Sequence, residues 1–303
     1  MRKQQHLGLA AAVALVWAIV PAAHAQQPGM AMPGVVNYIE GQVSIDGMPV
    51  NSGQSGQIAI HPNQVLTANA GNAEILLSPG VFLRVGDHSE LRMVSAELVD
   101  PVVEVLHGEA MVEADRKDAR SNVLEGGANA SILKEGLYRF NADQGSIQVI
   151  DGKISVNANG ESKEIGKGKE IQLGGQKLKA VGFDRKAEDN LYQWSSIRSG
   201  YLAQANGYTA ENIYAGYSPY WGAGWYWDPY FAAWSWMPGH GYFYSPFGYP
   251  FYSVGFAMYG PYGRFGRFGY GYGRAGFAGR AAFTGHSSAM MARGFSGGGG
   301  GRR

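Results

Sequence analysis

The residues of this sequence with the most chemistry to offer are aromatic. Between Tyr214 and Tyr252, Trp221, Trp225, Trp227, Trp234 and Trp236 stand among tyrosines and phenylalanines, with Tyr220 and Tyr226 beside them. Indole and phenol rings are flat, stiff and amphipathic, so when exposed they bind at small entropic cost. Such rings stack on sugars or seat at a membrane interface. The same density of rings also serves plain packing, and both readings stay open. Trp221, Trp225, Trp227, Trp234, Trp236, Tyr220 and Tyr226 are the candidate ligand contacts.

Catalytic signals are weaker. Gly271-x-Gly273-x-x-Gly276 has the spacing of a dinucleotide fingerprint. It has no strand before it and no helix after it, so no helix N-terminus receives the phosphates. Gly294-x-Ser296-x-Gly298 has the spacing of a nucleophile elbow, but it lies in a terminal glycine run. No rigid strand-turn-helix strains that serine. His61, His88, His107, His240 and His286 are isolated in sequence, without ligand spacing. The acidic residues show no convincing pair, although one can assemble only in space. The expectation is a non-enzymatic protein with no cofactor and no metal.

The elements that position these residues begin with an export signal. Arg2 and Lys3 form a basic start, Leu7 to Val20 an apolar run, and Ala23-His24-Ala25 a small-residue cleavage site. That order is a secretory signal, residues 1–25, cleaved near Ala25. The run of 14 residues is shorter than the ~20 that a membrane-spanning helix needs. The chain has no cysteine, which excludes disulfides, thiolate metal sites and a lipid-modified cysteine. The expected location is periplasmic or secreted, with no stable membrane span after cleavage. Export also sets nucleic acid aside as a partner.

A net charge of +1 hides an asymmetry. From Gly34 to Glu211 there are 23 acids against 16 bases, whereas after Gly216 Asp228 is the one acid against seven arginines. An acidic body with a basic tail points to an anionic contact.

The body, residues 34–180, reads as strands. Val43-Ser44-Ile45, Glu74-Ile75-Leu76-Leu77, Val81-Phe82-Leu83-Arg84-Val85 and Ile147-Gln148-Val149-Ile150 are short apolar runs with alternation. Asp46-Gly47, Pro79-Gly80, Gly86-Asp87 and Asp151-Gly152 supply the turns. This spacing predicts an all-β domain. A weak repeat joins Ile39-Glu40-Gly41-Gln42-Val43, Val105-Leu106-His107-Gly108-Glu109 and Ile150-Asp151-Gly152-Lys153-Ile154. In each copy a glycine between strands allows a bulge or corner. Such corners fit a jelly-roll or double-stranded β-helix-like fold.

The order of pieces resembles a known family. Gly41-x-Val43 is followed by Val65-Leu66-Thr67-Ala68, Gly71-Asn72-Ala73-Glu74-Ile75-Leu76-Leu77 and Val105-Leu106-His107-Gly108-Glu109-Ala110. Gly152-Lys153-Ile154-Ser155-Val156 closes the series. This is similar to the FecR domain, the periplasmic β-domain of iron-citrate-type signalling regulators. The usual Asp-Gly-Ser turn is replaced by Ser78-Pro79-Gly80. The resemblance implies the fold and the periplasm. Signalling members carry a cytoplasmic segment and a membrane span ahead of this domain, which are not found here, so anti-sigma activity is not carried over.

From Phe183, Leu191, Trp194, Ile197, Tyr201, Leu202 and Ala205 recur at helical spacing, with Asp184, Arg185, Glu188, Asp189 and Arg198 between them. This predicts one amphipathic helix over 183–206. It packs on the β-domain or receives a protein partner. Proline density over 214–254 forbids a helix there and leaves turns, extended pieces and a hairpin. The Gly/Arg-rich tail, 255–303, is low-complexity sequence expected to be disordered. Together these features describe an exported envelope binding or scaffold protein. Its tail would contact polysaccharide, peptidoglycan or an envelope protein. The alternative is a FecR-type periplasmic sensor or regulator acting on an outer-membrane or membrane signalling partner.

Overall fold

The computed structural model describes residues 31–116, 118, 120–185, 187–215 and 222–259. Residues 1–25, expected to be a secretory signal, together with Tyr220, Trp221 and residues 260–303 of the tail, lie outside the described residues. The body strands are β1 (Val36–Ile45), β2 (Met48–Val50), β3 (Val65–Leu76), β4 (Val81–Val85) and β5 (Ser89–Ser95). They continue with β6 (Val102–His107), β7 (Glu109–Ala114), β8 (Asn122–Glu125), β9 (Ala128–Ile132) and β10 (Gly136–Asn141). The last are β11 (Ser146–Asp151), β12 (Lys153–Ala158), β13 (Glu161–Gly166), β14 (Lys169–Gln172) and β15 (Ala180–Gly182).

All of them join one sheet in the order β13-β12-β9-β8-β6-β5-β3-β4-β7-β10-β11-β14-β15, with β1 along β3 and β2 along β1. Every pair is antiparallel except β6–β8. The sheet coils until β13 lies beside β11 and β14, so it nearly closes on itself. This is the all-β body that the alternation implied.

Gly41, Gly108 and Gly152, the three glycines of the weak repeat, all have positive φ (75°, 66° and 94°). Each sits at a bend where a Cβ would overlap a neighbouring strand or side chain. They are corners because no other residue takes that backbone at so little cost.

One face of the coil encloses the main core, with Val36, Leu66, Ile75, Leu83, Leu91, Val112, Phe140, Ile147 and Val156 among its members. In β4, Val81, Leu83 and Val85 point into this core. By the period of two, Phe82 and Arg84 point the other way. Both are nonetheless fully buried. A second layer therefore covers the outer face of β3, β4 and β7.

That layer is the C-terminal cap. It comprises α1 (Asn190–Ala215), the hairpin β16 (Gly224–Asp228)–β17 (Ala233–Met237), the hairpin β18 (Tyr242–Tyr244)–β19 (Pro250–Tyr252) and α2 (Val254–Tyr259). Leu76 and Phe82 of the sheet meet Leu202, Trp225, Ala233, Trp236 and Phe251 of the cap in a second apolar cluster.

The helix differs from the expected 183–206 at both ends. It begins at Asn190 because the Asp189 carboxylate accepts the Tyr192 amide at 2.8 Å, a capping bond that fixes the first turn. It continues through Gly207 to Ala215. The buried face also differs. Ser195, Arg198, Ser199, Asn206 and Thr209 are buried beside Leu191, Leu202 and Ala210, whereas Ile197 is 49% exposed. Tail residues 255–259, expected to be disordered, belong to α2. Glycine content did not prevent a turn of helix there, because Val254 and Met258 are buried in the cap.

Candidate functional site

A buried charge cluster fastens the cap to the sheet. Glu74 on β3 stands opposite Arg84 on β4, and their side chains meet at 2.9 Å. Arg84 also pairs with Glu113 of β7, and both side chains are fully buried. From above, Arg198 of α1 donates to Glu74 at 2.9 Å, and Ser199 donates to Glu113 at 2.6 Å. The Arg198 guanidinium lies 3.9 Å from the Tyr38 ring centroid.

Burial opposes ionisation of Glu74, but Arg198 and Arg84 outweigh it and hold the carboxyl below its ordinary range. Burial likewise opposes the charge on Arg84, and Glu113 and Glu74 outweigh it, so its affinity for the proton rises. Asp115, also buried, is held well above the carboxylate range by burial and by the neighbouring Glu113. Two guanidiniums, Arg84 and Arg198, thus face the carboxylates of Glu74 and Glu113, and burial disfavours a further charge on Asp115. Such balance is what makes a buried cluster tolerable.

Asparagines complete the attachment. Asn37 of β1 accepts the Trp234 amide at 2.7 Å and donates to its carbonyl at 3.0 Å. Asn206 of α1 donates to the carbonyls of Trp236 and Tyr252 and accepts the Tyr252 amide. Each side chain replaces the strand partner that the cap hairpins lack.

The hairpin fixes where the candidate rings point. Trp225 faces Trp236, and Trp227 faces Trp234, as cross-strand edge-to-face pairs at 6.1 and 5.7 Å. Trp225, Tyr226 and Trp236 are buried, at 4%, 5% and 3% exposure. Trp225 meets Phe82 edge-on at 4.9 Å. These three rings therefore pack inward and are not presented to solvent. The outer face of β3 and β4 is apolar at Leu76 and Phe82, and Trp225 and Trp236 cover it, whereas Tyr226 packs within the cap against Ala210, Met237 and Val254. Trp227 and Trp234 are half-buried. Trp227 lies against Gly56, where a Cβ would overlap the ring, and the Trp234 indole donates to the Gly56 carbonyl at 3.0 Å. Tyr220 and Trp221 lie outside the described residues.

A different set of rings forms an open surface. Tyr230 and Phe231 sit in the turn between β16 and β17. The buried Asp228 carboxylate accepts both of their amides, at 2.9 and 3.0 Å, and the Thr209 hydroxyl at 2.8 Å. Ala232 closes the turn with φ 46°. The turn is thus held rigidly against α1. Phe231 meets Tyr201 at 5.1 Å and Tyr208 at 5.9 Å, and Tyr230 meets Tyr208 at 5.4 Å. Arg198 bridges Tyr201 to Tyr38, and Tyr38 meets Trp194 at 6.3 Å. Tyr230 is 76% exposed and Tyr208 43%. Trp194, Tyr201 and Tyr208 are spaced by seven residues, so they share one face of α1. Composition drew attention to the tryptophans. The detectable signal for this set was the spacing of seven and the turn dipeptide Asp228-Pro229.

An open cavity of about 690 Å³ lies elsewhere, lined by Gly71, Asn72, Asp87, Glu109, Asp189 and Leu191. Asp87 accepts the amides of Gly71 and His88, and Asp189 caps α1 and pairs with Arg139 at 2.7 Å. Burial and Asp189 push Glu109 above its ordinary value. Glu109 also accepts a hydrogen bond from the Asn141 side chain, so all three acids are engaged in holding the fold. Among the described residues no cluster of His, Asp and Glu has the makings of a metal site, and no helix is long and apolar enough to cross a membrane.

No family model and no curated protein sequence matches the chain. Two crystal structures, at 2.50 and 1.65 Å, each described as of a "putative anti-sigma factor" from Parabacteroides distasonis, are similar to part of it. Identities are 17% and 16%, TM-scores 0.34 and 0.35, and the matches cover 44% and 45% of this chain. The chain spans less than two thirds of those structures, 63% and 65%. At this level of likeness no role passes from them to this chain.

Proposed function

We propose that this is an exported, non-catalytic binding module of the cell envelope. In this reading the coiled β-body is the scaffold, and the cap presents an aromatic surface to polysaccharide or to an envelope protein. The observation that carries it is the run of rings Trp194–Tyr38–Tyr201–Phe231–Tyr208–Tyr230, held in place by Asp228 yet open to solvent at its Tyr230 end. Large exposed rings on a pre-organised support serve recognition, since they bring area with few bonds left to freeze.

Co-sedimentation of the signal-cleaved chain with envelope polysaccharide and membrane-protein fractions tests it. Tyr208→Ala with Tyr230→Ala is expected to release the protein at unchanged stability. Equal retention of the two forms contradicts the proposal. Deletion of residues 214–303 is unsuitable as a control, because it strips Trp225, Trp236 and Phe251 from the second core cluster.

The second reading is a FecR-type periplasmic sensor or regulator. It draws on the FecR-like order of strands, and ring-dependent capture of a membrane signalling protein in the same experiment would favour it.

A further inference from the structure

We infer that the aromatic strip on α1 takes an uncharged or amine-bearing glycan chain and discriminates against uronate and phosphate polymers. This rests on the binding-module reading above and adds the ligand class.

Three elements carry the rings: α1, the β16–β17 hairpin and β1. From Trp194 to Glu211 the one basic residue of α1 is Arg198. It is 4% exposed and already pairs with Glu74. The β16–β17 hairpin, residues 224–237, has no lysine, arginine or histidine, and neither does β1. The accessible charge is negative. Glu40 accepts the Trp194 indole N–H at 2.6 Å, and Glu211 is exposed one turn beyond Tyr208. A polyanion would meet carboxylates here with no accessible cation on these three elements, among the described residues, to receive it.

What the strip offers instead is ring faces, phenol hydroxyls and the exposed amide of Gln204, which lies between Tyr201 and Tyr208. That combination of flat apolar area with neutral donors and acceptors suits pyranose rings. The strip is also long. Fourteen residues of helix separate Trp194 from Tyr208, or ~21 Å, which is a span for an extended oligomer rather than a single sugar. An ammonium group on such a chain would be welcomed by Glu40, Glu211 and the ring faces.

The test uses the full signal-cleaved chain and the variants Trp194→Ala and Tyr208→Ala/Tyr230→Ala. Each is mixed with insoluble cellulose, chitin, chitosan and cross-linked polygalacturonate at pH 7 and 0.15 M salt. The readout is the ring-dependent part of binding, wild type minus variant. The expected result is ring-dependent retention on cellulose or chitin, chitosan or both classes, with about tenfold weaker binding for the double variant. None is expected on polygalacturonate. Ring-dependent binding that is strongest on polygalacturonate overturns this specificity while leaving a binding module. Ring-dependent capture of an envelope protein, with no polymer retained, does the same. Variants that bind every polymer and envelope fraction as wild type does overturn both readings. Thermal unfolding of the variants guards against misfolding, and Tyr230, 76% exposed, is replaceable without loss of core.

Discussion

Replacing Arg198 by methionine removes one charge from the cluster under α1 and keeps most of the side-chain bulk. In the wild type, Arg84 and Arg198 balance Glu74 and Glu113, and burial disfavours a charge on Asp115. In Arg198→Met, Glu74 keeps Arg84 and Asn37, each at 2.9 Å, but the buried cluster carries one uncompensated negative charge. Removing one partner of a buried pair costs ~3–5 kcal/mol. Total stability for a domain is ~5–15 kcal/mol, so the midpoint of thermal unfolding falls by ~6–20 °C. Urea unfolding followed by tryptophan fluorescence is the assay, since Trp225 and Trp236 are buried where the cap meets the sheet. The sign with pH is fixed by Glu74, whose carboxyl lies below its ordinary range in the folded wild type. The stability it contributes is present above its unfolded value and is lost as pH falls. The gap between wild type and Arg198→Met therefore narrows on acidification below about pH 5. Glu74→Gln combined with Arg198→Met restores charge balance and is expected to cost ~2 kcal/mol less than the sum of the single changes. A loss under ~1 kcal/mol for Arg198→Met at pH 7, or strict additivity in the double variant, refutes the reasoning.

Other outcomes follow from single residues. Glu125 is fully buried, and burial, opposed only by the Asn141 backbone amide, pushes it from 4.5 to about 8. A raised folded value means that stability is highest in acid and is lost as pH climbs from 4.5 to 8, by ~3–5 kcal/mol; Glu125→Gln should flatten that slope in urea titrations at pH 5 and 8.5. Asp228→Ala frees the amides of Tyr230 and Phe231 and the Thr209 hydroxyl, so it is expected to cost ~1–3 kcal/mol and to weaken polymer retention through loss of the turn. Gly56→Ala must adopt φ 75° and displace the Trp227 ring; an expected loss of ~1–3 kcal/mol should appear in the unfolding midpoint together with altered tryptophan emission.

The body was legible because its information is local. Alternation placed β4 over Val81–Val85 without error, and Asp46-Gly47 does turn β1 into β2, with both residues at positive φ. The corner glycines announced themselves because backbone with positive φ has few other takers. The cap was less legible because its partners are remote. Helical spacing puts Arg198 among the polar positions of α1, yet the carboxylate it meets is 124 residues earlier in the chain. The clue was on the sheet, where Glu74 and Arg84 interrupt the buried apolar stretches 73–77 and Val81–Val85. The helix start was set too early because acidic and basic residues before Asp189 continue the helical spacing, and only the capping bond ends it. Tryptophan content signalled many rings but not which way they face. Inward orientation of Trp225 and Trp236 follows from the apolar surface at Phe82 and Leu76, a property of the assembled sheet. The resemblance to FecR domains anticipated an all-β body and said nothing of the cap that covers it.

The most direct test of the account is a binding isotherm of the chain without residues 1–25 on envelope polysaccharide, measured beside Tyr208→Ala/Tyr230→Ala and Trp227→Ala/Trp234→Ala. Exposed rings as the contact surface predict about tenfold weaker binding for the tyrosine pair at unchanged unfolding midpoint. They predict near-wild-type affinity with a lowered midpoint for the tryptophan pair. Full binding by the tyrosine variant, with loss confined to a folded tryptophan variant, contradicts the account.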